Sequence, residues 1–287
     1  MPLVLGRQVF TEHRRVLMAV VNRTPDSFSD RGATYSDAAA VDRLHRIVDE
    51  GADIVDIGGV KAGQGDEVGV QEELRRTASF VETVRAAYPD LVISVDTWRA
   101  EVARELCHRG ADLINDTWSG AEPELASVAA EFGTGLVCSH TGGLPPRTDP
   151  QRPAYADVMA DVIATVTGLA ERAVSLGVRR ESVLVDPTHD FGKNTYHSLT
   201  LSRRLDELVA TGWPVLVALS NKDFIGESLD LPVEDRLAGT LAATAIAAWQ
   251  GARVFRAHAV RETRQVLDLV SSIQGHRPPS APLRGLA

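Results

Sequence analysis

Cysteine is almost missing from this sequence. Cys107 and Cys138 are the only two in 287 residues, and their spacing fits neither a metal knuckle nor a disulfide framework. Such usage suits a reducing cytosol, so a cytoplasmic, soluble protein is expected. Positive charge is also short: 30 Lys and Arg against 39 Asp and Glu leave a net charge of −9. A chain of that sign is a poor partner for nucleic acid or an anionic membrane, and a phosphate-bearing ligand would need a local cationic pocket. Residues 1–15 hold no signal-type apolar core, and no apolar run approaches the ~20 residues of a membrane span. With 44% hydrophobic residues the chain can still bury a sizeable core. Its length suits one barrel of about 250 residues with tails.

What is present is a repeated pattern of eight short aliphatic and β-branched runs, each ending on polar residues. Residues 16–21 run into Asn22, 54–55 into Asp56, 91–95 into Asp96, and 113–114 into Asn115. Residues 136–137 run into Cys138-Ser139-His140, 183–185 into Asp186, 215–219 into Ser220 and Lys222, and 253–255 into Arg256 and His258. Uninterrupted runs of this length read as strands buried on both faces, and helical stretches alternate with them. The pattern predicts an α/β fold, a (β/α)₈ TIM barrel whose chemistry sits where the strands end. One domain is expected over 1–287, with the barrel over about 14–274 and a C-terminal tail at 275–287. Pro278, Pro279 and Pro282 predict a disordered or draped tail.

A repeated module fixes the register. Glu50-Gly51-Ala52-Asp53-Ile54-Val55-Asp56 returns as Arg109-Gly110-Ala111-Asp112-Leu113-Ile114-Asn115 and as Gln250-Gly251-Ala252-Arg253-Val254-Phe255-Arg256. In each, a helix ends at a glycine able to adopt positive φ and a strand starts a few residues later, the short αβ turn at the bottom of a barrel. Helices are predicted over 37–50, 72–87, 100–109, 123–131, 158–176, 199–210, 234–250 and 261–273. Three βα loops are long (23–35, 60–70 and 141–155), as lids and binding loops are. The 234–250 helix is rich in small residues, which fits either a homodimer contact or close packing on its own barrel.

The strand ends then define two chemical groups. Arg256 and His258 alternate on the last strand and point the same way, while Lys193 and Lys222 follow the sixth and seventh strands. Together they fit a diphosphate or carboxylate site, and some of them also fit ordinary solvated charges. Asp56, Asp96, Asn115 and Asp186 close four other strands and can meet across the barrel. A heterocycle with a guanidine-like edge needs such acceptors, with a lysine for its exocyclic oxygen. Asp56 equally fits a residue that only caps loop backbone.

At its first loop the chain resembles the dihydropteroate synthases. Asn22-Arg23-Thr24-Pro25-Asp26-Ser27-Phe28-Ser29-Asp30 is similar to that family's Asn-Val-Thr-Pro-Asp-Ser-Phe-Ser-Asp-Gly segment. The likeness runs from residue 16 to about 274 in order and spacing. It includes Ile93-Ser94-Val95-Asp96-Thr97, Ile114-Asn115-Asp116, Asp186-Pro187 with Phe191-Gly192-Lys193, Ser220 with Lys222 and Phe224-Ile225-Gly226, and Arg256 with His258. The resemblance implies a pterin-binding barrel, a homodimer, and a reaction joining 6-hydroxymethyl-7,8-dihydropterin diphosphate to 4-aminobenzoate with release of diphosphate. It also implies roles. Asp96, Asn115, Asp186 and Lys222 would hold the pterin ring, with Phe28 and Phe191 among the substrate-binding residues. Asn22 would help bind Mg²⁺ on the diphosphate, and Arg256 with His258 would clamp the leaving group. Asn22, Lys222, Arg256 and His258 are thus the expected catalytic set. Cations that stabilise a departing diphosphate suit this chemistry, and the amine needs little beyond positioning.

The chain also departs from the family pattern. Gly58-Gly59-Val60-Lys61-Ala62-Gly63-Gln64-Gly65 stands where the family commonly reads Gly-Gly-Glu-Ser-Thr-Arg-Pro-Gly. A hydroxyl donor and an arginine fork are thereby replaced by Ala62 and Gly63, and Lys61 offers only a point charge. Asn221 stands for a usual arginine. Asp223 lies where the family resemblance places the aminobenzoate carboxylate, at a helix start otherwise suited to an anion. Thr188-His189-Asp190 replaces a glycine-rich stretch and Ala218 a glycine, which predicts bulk pushing on the ring. Arg23 and Arg31 are added to the first loop. This pattern is similar to the divergent second synthase paralogue of some bacteria and implies a weakened or lost synthase reaction. Three alternatives stand beside it: a working synthase using Lys61 and Arg23, a non-catalytic pterin-binding or regulatory protein, and a pterin-barrel methyltransferase. The last fits the Thr-Pro-Asp-Ser-Phe segment with Lys222 and Arg256/His258 least well.

Overall fold

The computed structural model describes residues 1–24, 36–63, 65–148 and 154–284. It begins with a hairpin that the run pattern does not predict, β1 (Leu3–Leu5) paired antiparallel with β2 (Gln8–Phe10). Leu3 and Leu5 are fully buried against Met18, Ile54, Val92, Leu113, Val137, Leu184, Leu216 and Val254. The hairpin therefore plugs the bottom of the barrel. Its signal in the sequence is short, the apolar triplet Leu3-Val4-Leu5 and the pair Val9-Phe10 around Gly6-Arg7-Gln8, and too brief to stand out from a disordered leader.

Eight parallel strands follow as expected. They are β3 (Val16–Asn22), β4 (Ile54–Gly58), β5 (Val92–Asp96), β6 (Leu113–Asp116), β7 (Gly135–Ser139), β8 (Val183–Asp186), β9 (Leu216–Val217) and β10 (Val254–Ala257). Neighbours pair in order from β3 to β8, and β10 lies between β3 and β9. A bridge from Val185 to Val215 joins β8 to the β9 side and closes the barrel. Inward side chains such as Met18 and Ile54 fill the interior. Their alternating neighbours Leu17, Ala19 and Val55 pack outward on the helices, so both strand faces are apolar.

The helices are α1 (Asp37–Asp49), α2 (Val70–Ala87), α3 (Ala100–His108), α4 (Leu125–Phe132), α5 (Val158–Ser175), α6 (Thr195–Arg203), α7 (Leu205–Val209), α8 (Asp223–Leu229), α9 (Leu237–Gln250) and α10 (Val260–Ile273). The repeated turn glycines Gly51, Gly110 and Gly251 have φ of 93°, 106° and 108°, the backbone their module requires.

Two expectations about helices change. The 199–210 helix starts earlier and divides in two. Asn194 caps α6 through the His197 N–H at 2.9 Å, and non-helical dihedrals at Arg204 separate α6 from α7. The 234–250 helix begins only at Leu237, because Arg236 turns inward to bond the Leu231 and Asn221 carbonyls. Part of its small face serves internal packing: a Cβ on Gly239 would lie 2.6 Å from Ile225 Cγ2. Among the described residues the tail is held only at its start, where His276 stacks on His13 at 4.1 Å and Arg277 pairs with Asp268 at 3.1 Å, and residues 278–284 are exposed.

Candidate functional site: the mouth of the barrel

The C-terminal ends of the strands surround a cavity of about 400 Å³. Of the expected catalytic set, Asn22, Lys222, Arg256 and His258 all line it, and Asp96 and Phe191 join them. Asn115 and Asp186 close their strands as predicted but lie beneath this lining, buried. Phe28 and Arg31 fall outside the described residues.

A buried polar network forms the floor. Asp56 is fully buried and accepts from Ser94 Oγ at 2.6 Å, from Asn115 Nδ2 at 3.2 Å and from Arg256 Nε at 2.6 Å. It is neither a loop cap nor a cavity-lining acceptor; it is the counter-ion of Arg256. The same guanidinium donates through Nη2 to Asp96 Oδ2 at 2.9 Å, and Thr117 Oγ1 donates to Asp96 Oδ1. One cation thus faces two carboxylates. Burial pushes Asp96 up to about 7, the Asp56 charge adds to the rise, and Arg256 opposes it.

Lys222 and Phe191 make one wall. The Lys222 ammonium sits 4.2 Å from the centre of the Phe191 ring, and Trp118 meets the same ring edge-on at 5.6 Å. Burial lowers the Lys222 pKa, while Asp190 and Asp186 oppose that shift. Burial likewise raises Asp186 to about 6, with the Thr188 N–H and the Lys222 charge opposing. The carboxylate and the ammonium therefore stand within electrostatic reach, as a ring-binding pair requires.

Several expectations are corrected here. Lys193 does not belong to the anion-handling group. It is buried, and its Nζ donates to the carbonyls of His140 at 2.8 Å, Thr188 at 3.0 Å and Phe191 at 2.8 Å. It ties together the loops after β7 and β8. Nor does Arg23 substitute for a missing cavity arginine: it is buried under α1 and α2, paired with Asp37 and bonded to the Ser36 and Arg76 carbonyls. The bulk of Thr188 and His189 does not press on the cavity. Thr188 accepts from the His140 N–H, and His189 stacks on Phe224 and contacts Ser202.

Asp190 alone of that triplet faces the cavity, and its position could not be read from the sequence. It has φ of 71°, and Ser198 Oγ holds its Oδ1 at 3.0 Å. Its Oδ2 accepts from the Asp223 N–H at 2.6 Å and the Phe224 N–H at 3.4 Å. A carboxylate from within the chain therefore occupies the first amides of α8. Asp223, expected there as an uncompensated charge, is instead paired with Arg236 at 2.8 Å. Arg147, from the long loop after β7, also lines the cavity beside Lys61, Ala62 and Gly63. The sequence points to that loop without singling out Arg147.

The pterin binding enzyme family model matches residues 18–258 of this chain. The sequence is 61% identical to inactive dihydropteroate synthase 2 of Mycobacterium leprae (strain TN), over 99% of each chain. It is 39% identical to the dihydropteroate synthase of Escherichia coli (strain K12), over 93% of this chain and 94% of the other. The crystal structure of the Yersinia pestis dihydropteroate synthase with a sulfonamide drug superposes with a TM-score of 0.90 at 35% identity, covering 96% of this chain and 100% of that one. A polar barrel mouth built on this topology, with these relatives, places the chain in the pterin-binding enzyme family. Within that family it is dihydropteroate synthase-like.

Proposed function

We propose that this protein binds a pterin diphosphate at the barrel mouth and performs the dihydropteroate synthase condensation weakly or not at all. One observation carries the second half: the Asp190 carboxylate sits on the Asp223 and Phe224 amides, where the family resemblance puts the carboxylate of 4-aminobenzoate. A ligand carboxylate would have to displace Asp190 and then lie next to it, against like-charge repulsion. The loss of the loop arginine at Gly63 removes a further bidentate contact. The name of the M. leprae relative, an inactive synthase, agrees with this reading. Calorimetry with 6-hydroxymethyl-7,8-dihydropterin diphosphate, followed by a turnover assay with 4-aminobenzoate, tests both halves.

Mg²⁺ belongs to this reading as an ion carried by the diphosphate. Among the described residues no group of three or more His, Cys, Asp or Glu could hold a metal. Asn22 at the cavity wall suits an ion that keeps its waters and takes most other ligands from phosphate. The reading includes a homodimer through α9 and α10. It is supported by Ile246 and Trp249 on α9 and Leu269 and Ile273 on α10, each more than half exposed on helices that pack side by side. A cytoplasmic location is supported by two buried free thiols, Cys107 and Cys138. Among the described residues no helix is long and apolar enough to cross a membrane.

A further inference from the structure

The charges around the cavity do not cancel evenly. Arg256 faces Asp56 and Asp96, Asp223 is held by Arg236, and Lys222 stands near Asp186 and Asp190. Lys61 and Arg147 are different. Among the described residues no ion pair joins either one to a carboxylate, and Arg147 directs Nε and Nη1 to main-chain carbonyls, Gly63 at 3.1 Å and Asp66 at 2.7 Å. The two cations converge on one glycine. Lys61 Cε lies 3.8 Å from the place a Gly63 Cβ would occupy, and Gly63 O is the acceptor of Arg147 Nε. Arg147 also holds φ of 63°, a backbone state that costs a non-glycine residue roughly 1–2 kcal/mol. Such strain is retained where surrounding structure enforces it, and it concentrates at binding sites.

The barrel order gives this pair a location. Lys61 follows β4 and Arg147 follows β7, so the Arg147 loop reaches across the ends of β5 and β6 to meet the loop after β4. On that lip Lys61 and Arg147 line the cavity while Asp96, at the end of β5, faces Arg256; the lip after β8 and β9 carries Asp190 and Asp223. We propose that Lys61 and Arg147 form an anion subsite on the β4–β7 lip, apart from Arg256 and His258, which takes a phosphate or diphosphate group of the ligand. The proposal rests on the pterin reading for the identity of the ligand's ring, but the anion site itself does not depend on that ring. It also assigns the rebuilt loop a use: the Gly63 carbonyl holds the Arg147 guanidinium, brought from the opposite loop, at the cavity lining. Guanidinium edge and ammonium then act together on one polyanion.

Inorganic diphosphate is the probe, titrated by calorimetry into the whole protein and into Lys61→Gln, Arg147→Gln and the double variant. Hydroxymethylpterin, which is uncharged, is titrated in parallel. The wild type binds diphosphate, each single variant weakens it about tenfold or more, and the salt dependence of binding falls with each lost cation. Hydroxymethylpterin affinity stays at the wild-type value in all four proteins. Among the described residues Lys61 donates to no main-chain carbonyl, so its variant tests the subsite even where Arg147→Gln loosens the loop. Wild-type diphosphate affinity in the double variant overturns the proposal, and so does a wild type that binds no diphosphate. Failure of hydroxymethylpterin to bind counts against the pterin reading alone.

Discussion

Replacing Asp190 by glycine removes the carboxylate that sits on the Asp223 and Phe224 amides, and glycine accepts the φ of 71° at this position without strain. Two changes in stability oppose each other. The bonds from Ser198 and from the two amides are lost, and the left-handed strain of roughly 1–2 kcal/mol is relieved. The melting temperature should therefore move by only a few degrees. Function should change more. A charge-assisted hydrogen bond is typically worth ~1.5–3 kcal/mol, so one amide contact regained by 4-aminobenzoate is a factor of roughly 10–150 in kcat/KM. The aminobenzoate carboxylate lies away from the breaking C–O bond, so the gain should appear in KM with kcat little changed. The assay is diphosphate release at saturating pterin diphosphate and Mg²⁺ with varied 4-aminobenzoate. Asp223→Ser should help less and lower stability, because it leaves the buried Arg236 without its carboxylate. If Asp190→Gly folds, binds pterin diphosphate like the parent and shows no gain with aminobenzoate, the blocking role of Asp190 is refuted.

Lys193→Met leaves three carbonyls, two of them buried, without this donor. At ~1–3 kcal/mol for an unsatisfied buried group, the melt should fall by ~2–12 °C in scanning calorimetry, and an unchanged melt would contradict the bracing role. Asp96, raised to about 7 chiefly by burial, should accept pterin N–H groups only when ionised. Hydroxymethylpterin affinity should therefore climb as pH rises through about 7, and Asp96→Asn should remove that step; an unaltered pH profile would contradict the assignment. The same shift means that the folded state holds this proton more tightly than the unfolded chain. Stability should fall as pH rises from ~4 to about 7, the sign opposite to that of a salt-bridged carboxylate with a depressed pKa. Trp249→Glu should convert a dimer to a monomer in light scattering at tens of micromolar, and a surviving dimer would place the interface elsewhere.

The parts of this molecule that were legible in the sequence obey a period. The eight barrel strands were marked by apolar runs, and the Gly-Ala-Asp modules marked the bottom turns, because burial on both faces and a positive φ each demand particular residues. Polar residues closing those strands identified the mouth, and Asn22, Asp96, Lys222, Arg256 and His258 do meet there. What was illegible depended on partners distant in the chain. Nothing local distinguishes Lys193, which braces three carbonyls, from Lys222, which faces a ring. Asp56 became a counter-ion only because Arg256, two hundred residues later, points at it. In the sequence Asp190 shows only bulk, since its capping of α8 depends on the β8 and β9 loops lying side by side. The N-terminal hairpin is not legible because three-residue strands carry too little alternation to register.

The most direct test titrates 6-hydroxymethyl-7,8-dihydropterin diphosphate with Mg²⁺ into the protein by calorimetry and then adds 4-aminobenzoate to the same sample while following dihydropteroate. The account predicts saturable binding of the pterin diphosphate with little or no dihydropteroate formed. Turnover at the rate of an orthodox synthase, or no binding of the pterin diphosphate at all, would contradict it.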